Sequence, residues 1–254
     1  MKLKQRFIYL LTLVMLSVTQ ASWAGIILQG TRIVFPSNQR DASLKITNEN
    51  DKPVLVHTWA DDGNSKSTPK DAKSPFIIPA PVFRLDPKKQ HVIRMVYSGE
   101  ALAKDRESLY WLNVLEIPST TAADAEQNLL LMAFRNRIKI FYRPVELTQK
   151  IEDAPYALRA SIQASGNSSV IRIKNPTPFH LSFSNIEVSA DGVTYTHPGG
   201  GMVEPFAEKN FDLPQLKKPL ASSTAKINLS LINDYGGDHK LTMGHDAVPV
   251  DAEQ

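Results

Sequence analysis

From Asn128 to Pro144 the chain reads as one long β-strand, and its first half is apolar on both faces. Leu130, Met132 and Phe134 fall on one face, and Leu129, Leu131 and Ala133 on the other. Side chains alternate across a strand, so a domain core beside a sheet edge can use only one of these rows. The second row needs a partner. The strand then turns basic at Arg135, Arg137, Lys139 and Arg143 before Pro144 closes it. An apolar row leading into cations suggests a surface for an extended peptide and its charged end.

The rest of the chain is cut from similar pieces. Ile26–Phe35, Ser43–Asn48, Val54–Trp59, Val82–Leu85, His91–Tyr97 and Leu109–Ile117 alternate or run apolar, with turn residues between them. Asp61–Ser74 reads as a polar loop and Ser119–Gln127 as a short polar connection. With the long strand this makes about seven strands, the spacing of a β-sandwich. A second set follows at Ala157–Ala164, Val170–Lys174, Phe179–Val188, Val193–Thr196, Met202–Val203, Lys209–Leu213, Lys226–Ile232 and His239–Met243. Asp191-Gly192 marks a hairpin turn. The boundary falls in Pro144–Pro155, so a cleft between two sandwiches would receive the basic end of the long strand. Ala101–Glu107 is the single candidate for a helical turn, and the acidic tail Gly244–Gln254 is expected to be disordered.

Residues 1–24 have the layout of a secretory signal peptide: Lys2, Lys4 and Arg6, an apolar run from Phe7 to Val18, then Ser22-Trp23-Ala24. The run is short for a membrane anchor. Without those three cations the 29 Lys and Arg residues fall to 26, equal to the 26 Asp and Glu. The net positive charge therefore gives no reason to expect a nucleic-acid partner. Cysteine is absent, which excludes thiol nucleophiles and Cys–zinc sites. The six histidines show no ligand spacing and read as ordinary surface or turn residues, Gly199-Gly200-Gly201 lacks a following helix, and no Gly-x-Ser-x-Gly turn occurs. Two Asn-x-Ser matches, at Asn167 and Asn228, are too short a pattern to carry weight.

Among the cations, Arg135 and Arg137 read as solvated or paired with internal carboxylates. Lys139 differs, because it sits between Ile138 and Ile140. A lysine there must find an anion or reach water. Arg32, before Ile33-Val34-Phe35, has the same character. Two cations near one cleft would make a carboxylate receptor.

Five segments in order resemble the periplasmic chaperones of the chaperone–usher pilus pathway. They are Gly30–Pro36, Pro81–Pro87, Asp105–Pro118, Arg137–Pro144 and Ile232–Gly236. The resemblance runs from Gly25 to about Met243. It implies an all-β fold: two immunoglobulin-like β-sandwiches in a boomerang, residues 25–146 and 147–243, around an interdomain cleft. It assigns Arg32 and Lys139 as the anchor for a pilin's C-terminal carboxylate. It assigns Leu130, Met132 and Phe134 as the row donated to the pilin, with parity opposite to Lys139, and Glu107, Arg143 and Asp234 as an interdomain ionic trio. The short Ser119–Gln127 connection places the chain in the short-loop branch, which serves rod-shaped fimbriae. The partners implied are pilin subunits and an outer-membrane usher, with no membrane anchor, no cofactor and no metal, and a free form that is monomeric or a self-capped dimer. The competing readings are a pilus subunit or adhesin, against which two complete strand sets argue, and a carbohydrate-active sandwich enzyme, for which no paired-carboxylate motif is present.

Overall fold

A computed structural model of the chain describes residues 25–120, 128, 130–166, 168–216, 225–244 and 249–250. The segment read as a signal peptide lies outside the described residues. Nine strands build the first half. They are β1 (Ile26–Leu28), β2 (Arg32–Pro36), β3 (Asp41–Asn48), β4 (Val54–Asp61), β5 (Phe76–Ile77), β6 (Val82–Leu85), β7 (Gln90–Tyr97), β8 (Ser108–Pro118) and β9 (Phe134–Arg143). They form two facing sheets, ordered β1-β3-β7-β5 and β2-β9-β8-β4-β6. The alternation seen in the sequence sets the inner faces. Phe35, Ile46, Val56, Met95, Leu112, Val114 and Ile140 point inward and are fully buried in one core.

A 3-10 turn (Ile151–Asp153) and a one-turn helix (Ala154–Ala157) lead into the second half. Its strands are β10 (Arg159–Ser165), β11 (Ser168–Lys174), β12 (Leu181–Ala190), β13 (Val193–Thr196), β14 (Gly201–Val203), β15 (Glu208–Leu213), β16 (Lys226–Ile232), β17 (Asp238–Gly244) and β18 (Pro249–Val250). One sheet runs β10-β11-β15 and the other β13-β12-β16-β17-β18, with β14 also on β12. Ile171, Ile173, Phe183, Ile186, Val188 and Ile227 fill a separate core. Asp191 and Gly192 both have positive φ between the paired Ala190 and Val193, the two-residue turn that a twisted hairpin favours.

Four expectations are corrected. The stretch Ile26–Phe35 is not one strand. It crosses from one sheet to the other between β1 and β2, which gives each sheet an edge from the same segment. Ala101–Glu107 is irregular, with bends at Lys104–Arg106, rather than a helical turn. Part of the tail is ordered, since Pro249 and Val250 pair with Met243 and Thr242. The long strand begins only at Phe134; Asn128 and Leu130–Ala133 are unpaired, and Leu129 lies outside the described residues. The last correction has a physical cause. The β8–β9 ladder ends with Glu116 opposite Phe134, and continuing that register would bring Pro118 opposite Met132, where it has no N–H to donate.

Candidate functional site

The residues assigned to the pilin fall on β9 (Phe134, Lys139), on the stretch just before it (Leu130, Met132) and on β2 (Arg32). Strand β9 has β8 on one side from Phe134 to Tyr142. On the other side β2 runs parallel to it, but only from Arg32 opposite Lys139 to Pro36 opposite Arg143. Among the described residues, Phe134–Ile138 therefore has one open edge, with free backbone N–H and C=O groups. Before it, Leu130 is 87% exposed, Met132 55% and Phe134 56%. The other row is exposed as well, with Leu131 at 56%. The expectation that one row packs into its own domain thus fails for residues 130–133. Among the described residues no strand flanks this stretch on either side, so neither row has a surface to cover. The parity holds from Phe134 onward: Phe134, Ile138 and Ile140 share the inner face and Lys139 takes the outer one.

The open edge stops at the two predicted anchor cations. Because β2 and β9 are in parallel register, Arg32 and Lys139 lie side by side. Arg32 donates through Nη1 to the carbonyl of Ile232 at 2.8 Å, and its guanidinium lies 5.8 Å from the Phe141 ring centre. Lys139 donates to Ser182 Oγ at 2.8 Å, and its Nζ sits 5.7 Å from the Trp111 ring centre. Among the described residues no carboxylate lies within ion-pair distance of either. Burial pushes the Lys139 ammonium down to about 8, and the positive charges of Arg32 and Lys209 add to the effect. Burial likewise lowers Arg32 from its usual value.

The trio assembles fully. Arg143 donates to Glu107 Oε1 at 2.7 Å and forks onto both oxygens of Asp234 at 2.6 and 2.9 Å. Burial opposes its charge, yet Asp234 and Glu107 outweigh that and raise its proton affinity. His180 joins as a fourth member and corrects its assignment as an ordinary residue. Its backbone N–H donates to Glu107 Oε2 at 2.8 Å, its Nδ1 lies 3.3 Å from the same oxygen, and its ring is buried. Since Glu107 comes from the first sandwich and His180 and Asp234 from the second, the network fastens the two. Between them lies a cleft of about 500 Å³, lined in part by Arg32, Phe141, Arg143, Tyr156, Ser182 and Ile232.

The remaining basic residues behave as read. Arg137 pairs with the fully buried Asp61 at 2.8 Å. Burial would raise that carboxyl, but hydrogen bonds from Ser67, Asn113 and Gly63 and the charge of Arg137 hold it below the usual range. Arg135 donates to the carbonyls of Ser65 and Ser67, which ties the polar loop under β9. Ser182, Lys209 and His180 carry no local signal. A short β12 segment contributes the hydroxyl and another strand the cation, and only packing brings them to β9.

Comparison with known proteins bears on the family and the fold. Residues 25–148 match the N-terminal domain of the pili and flagellar-assembly chaperone PapD, and residues 153–243 match the C-terminal domain of the pili assembly chaperone PapD. The chain is 36% identical over 225 residues to the probable fimbrial chaperone YadV of Escherichia coli K12, covering 87% of this chain and 90% of the relative. It is 35% identical over 217 residues to the chaperone protein MrkB of Klebsiella pneumoniae, covering 84% and 88%. The crystal structure of the YadV chaperone superposes with a TM-score of 0.73 at 34% identity, covering 87% of this chain and all of that one. The Salmonella enterica SafA pilin–SafB chaperone complex matches with a TM-score of 0.69 at 26% identity, covering 89% and 98%. The chain, two immunoglobulin-like sandwiches joined across a cleft, belongs to the pilus-assembly chaperone family.

Proposed function

We propose that this chain works in the periplasm, captures pilin subunits by completing their sheet with its own β9 edge, and passes them to an outer-membrane usher. The half-open edge that ends at two unpaired cations carries this reading. A guest strand lying parallel to β9 along Phe134–Ile138 would continue the line of β2 and arrive with its C-terminus at Arg32 and Lys139. Backbone hydrogen bonds would supply affinity, and the terminal carboxylate would set the register, since a one-residue slip turns every side chain to the wrong face. Leu130, Met132 and Phe134 would fill the pilin's open groove, each contributing about 1.5–3 kcal/mol of burial before the costs of association. The same contact would cover side chains that are otherwise an aggregation hazard. The chemistry is binding alone; it needs no catalytic group.

Co-expression with candidate pilins tests this. Arg32→Ala, Lys139→Ala and Met132→Glu are each expected to remain folded and to lose the pilin on affinity purification. Wild-type pilin recovery from Arg32→Ala and Lys139→Ala would reject the carboxylate anchor. Recovery from Met132→Glu would reject the donated row.

A further inference from the structure

The β16–β17 turn does two things at once. Through Asp234 it grips Arg143. Through the residue before the turn, Ile232, it offers the carbonyl that Arg32 Nη1 binds. The turn is tightly built. Asn233 Oδ1 accepts from the N–H groups of Tyr235 and Gly237 at 3.0 and 2.9 Å, and Asn233 N–H donates to the carbonyl of Gly237 at 2.9 Å. Gly236 has φ +86° and presses on the first sandwich. A Cβ there would stand 2.7 Å from Thr31 Oγ1, and Thr31 immediately precedes Arg32. So the backbone that carries Arg32 and the carbonyl that orients its guanidinium are set by one turn of the other domain.

We infer that the turn Asn233–Gly237 is a positioning element for Arg32, which makes the domain hinge and the carboxylate anchor a single unit. This rests on the reading of the cleft as a carboxylate receptor. A neutral carbonyl orients a guanidinium without cancelling its charge. With Nη1 held there, the Nε–Nη2 edge is the fork left for a carboxylate, and Arg32 Nε is buried with no acceptor among the described residues. Movement of the second domain that withdraws Ile232 would loosen Arg32 and weaken the grip on a bound C-terminus. Opening the hinge therefore becomes a route to release.

The test uses Gly236→Asn in the full chain, with asparagine chosen because it tolerates positive φ better than other side chains. The intruding Cβ should push the turn off Thr31. The double variant Gly236→Asn with Thr31→Ala removes the obstructing hydroxyl. The probe is a short fluorescent peptide of alternating valine and threonine, made with a free C-terminal carboxylate and as the C-terminal amide. Wild type should prefer the carboxylate by about tenfold or more, the scale of a charge-assisted pair. Gly236→Asn should lose most of that preference while binding the amide as wild type does, and the double variant should regain it. Relaxation of the Arg32 Nε–H group, read by NMR without any peptide, should report added motion in Gly236→Asn only. An Arg32 side chain as ordered in Gly236→Asn as in wild type would overturn the inference. A wild type that does not distinguish carboxylate from amide would instead overturn the anchor reading, and the NMR result would still decide the positioning.

Discussion

Arg143 and Lys139 sit four residues apart on the same face of β9, two repeats of the pleat, yet the protein treats their charges in opposite ways. Around Arg143 it gathers Glu107 and Asp234, with His180 bound to the second oxygen of Glu107, so the cation is matched and its proton is held more firmly than usual. Around Lys139 burial comes first, and a neutral hydroxyl and two further cations do nothing to offset it, so the proton is held less firmly. The first arrangement makes a joint. The second leaves charge unbalanced in a part-buried site, a cost that a fold alone has no reason to keep. An anion supplied by a partner would remove it.

Three experiments can break or sharpen this contrast. Arg143→Leu should have the largest effect, because it strands the buried Glu107 carboxylate; a loss of about 3–5 kcal/mol in urea unfolding is expected. A loss under about 1 kcal/mol would rank the network with ordinary surface ion pairs. The next effect is on binding. Lys139 is mostly charged at pH 7 and mostly neutral at pH 9 if it titrates near 8. Pilin affinity should therefore fall about tenfold across that interval, while a Lys139→Arg variant stays level. A wild-type profile as flat as the arginine variant's would mean that the lysine charge does not anchor the guest. The smallest effect concerns stability. A native lysine with lowered proton affinity disfavours folding below pH 8, and that cost fades as pH rises towards the lysine's usual 10.5, because the unfolded chain then binds more protons than the native one. Lys139→Met should thus melt at or above wild type near neutral pH, by about 2–4 °C for each kcal/mol relieved, with the gap closing at alkaline pH. A lower melting temperature would show that Lys139 is structural.

Much of the fold was legible in short-range pattern. The limits of Lys226–Ile232 and Val193–Thr196 follow from alternation, and the Asp191-Gly192 turn from the demand for two positive φ angles. The split of Ile26–Phe35 was not legible, because alternation names the buried face of a residue but not the sheet that buries it. The start of β9 was hidden for a related reason. Leu130–Ala133 have strand-forming residues, but the ladder also needs a partner, and Pro118 ends it. In the site, Arg32 and Lys139 stood out as cations inside apolar runs, and their register confirms them as neighbours. Ser182, His180 and Lys209 had nothing local to mark them.

The amino-acid sequence by itself determined two all-β units, their separate cores and the presence of cations where a strand interior should be apolar, since side-chain alternation and burial act over a few residues. Only the tertiary structure decided which edge stays open, which cations are neutralised and which domain orients Arg32. Those depend on where partner strands end and on carboxylates, carbonyls and hydroxyls brought in from up to 200 residues away. No short-range pattern encodes such distances.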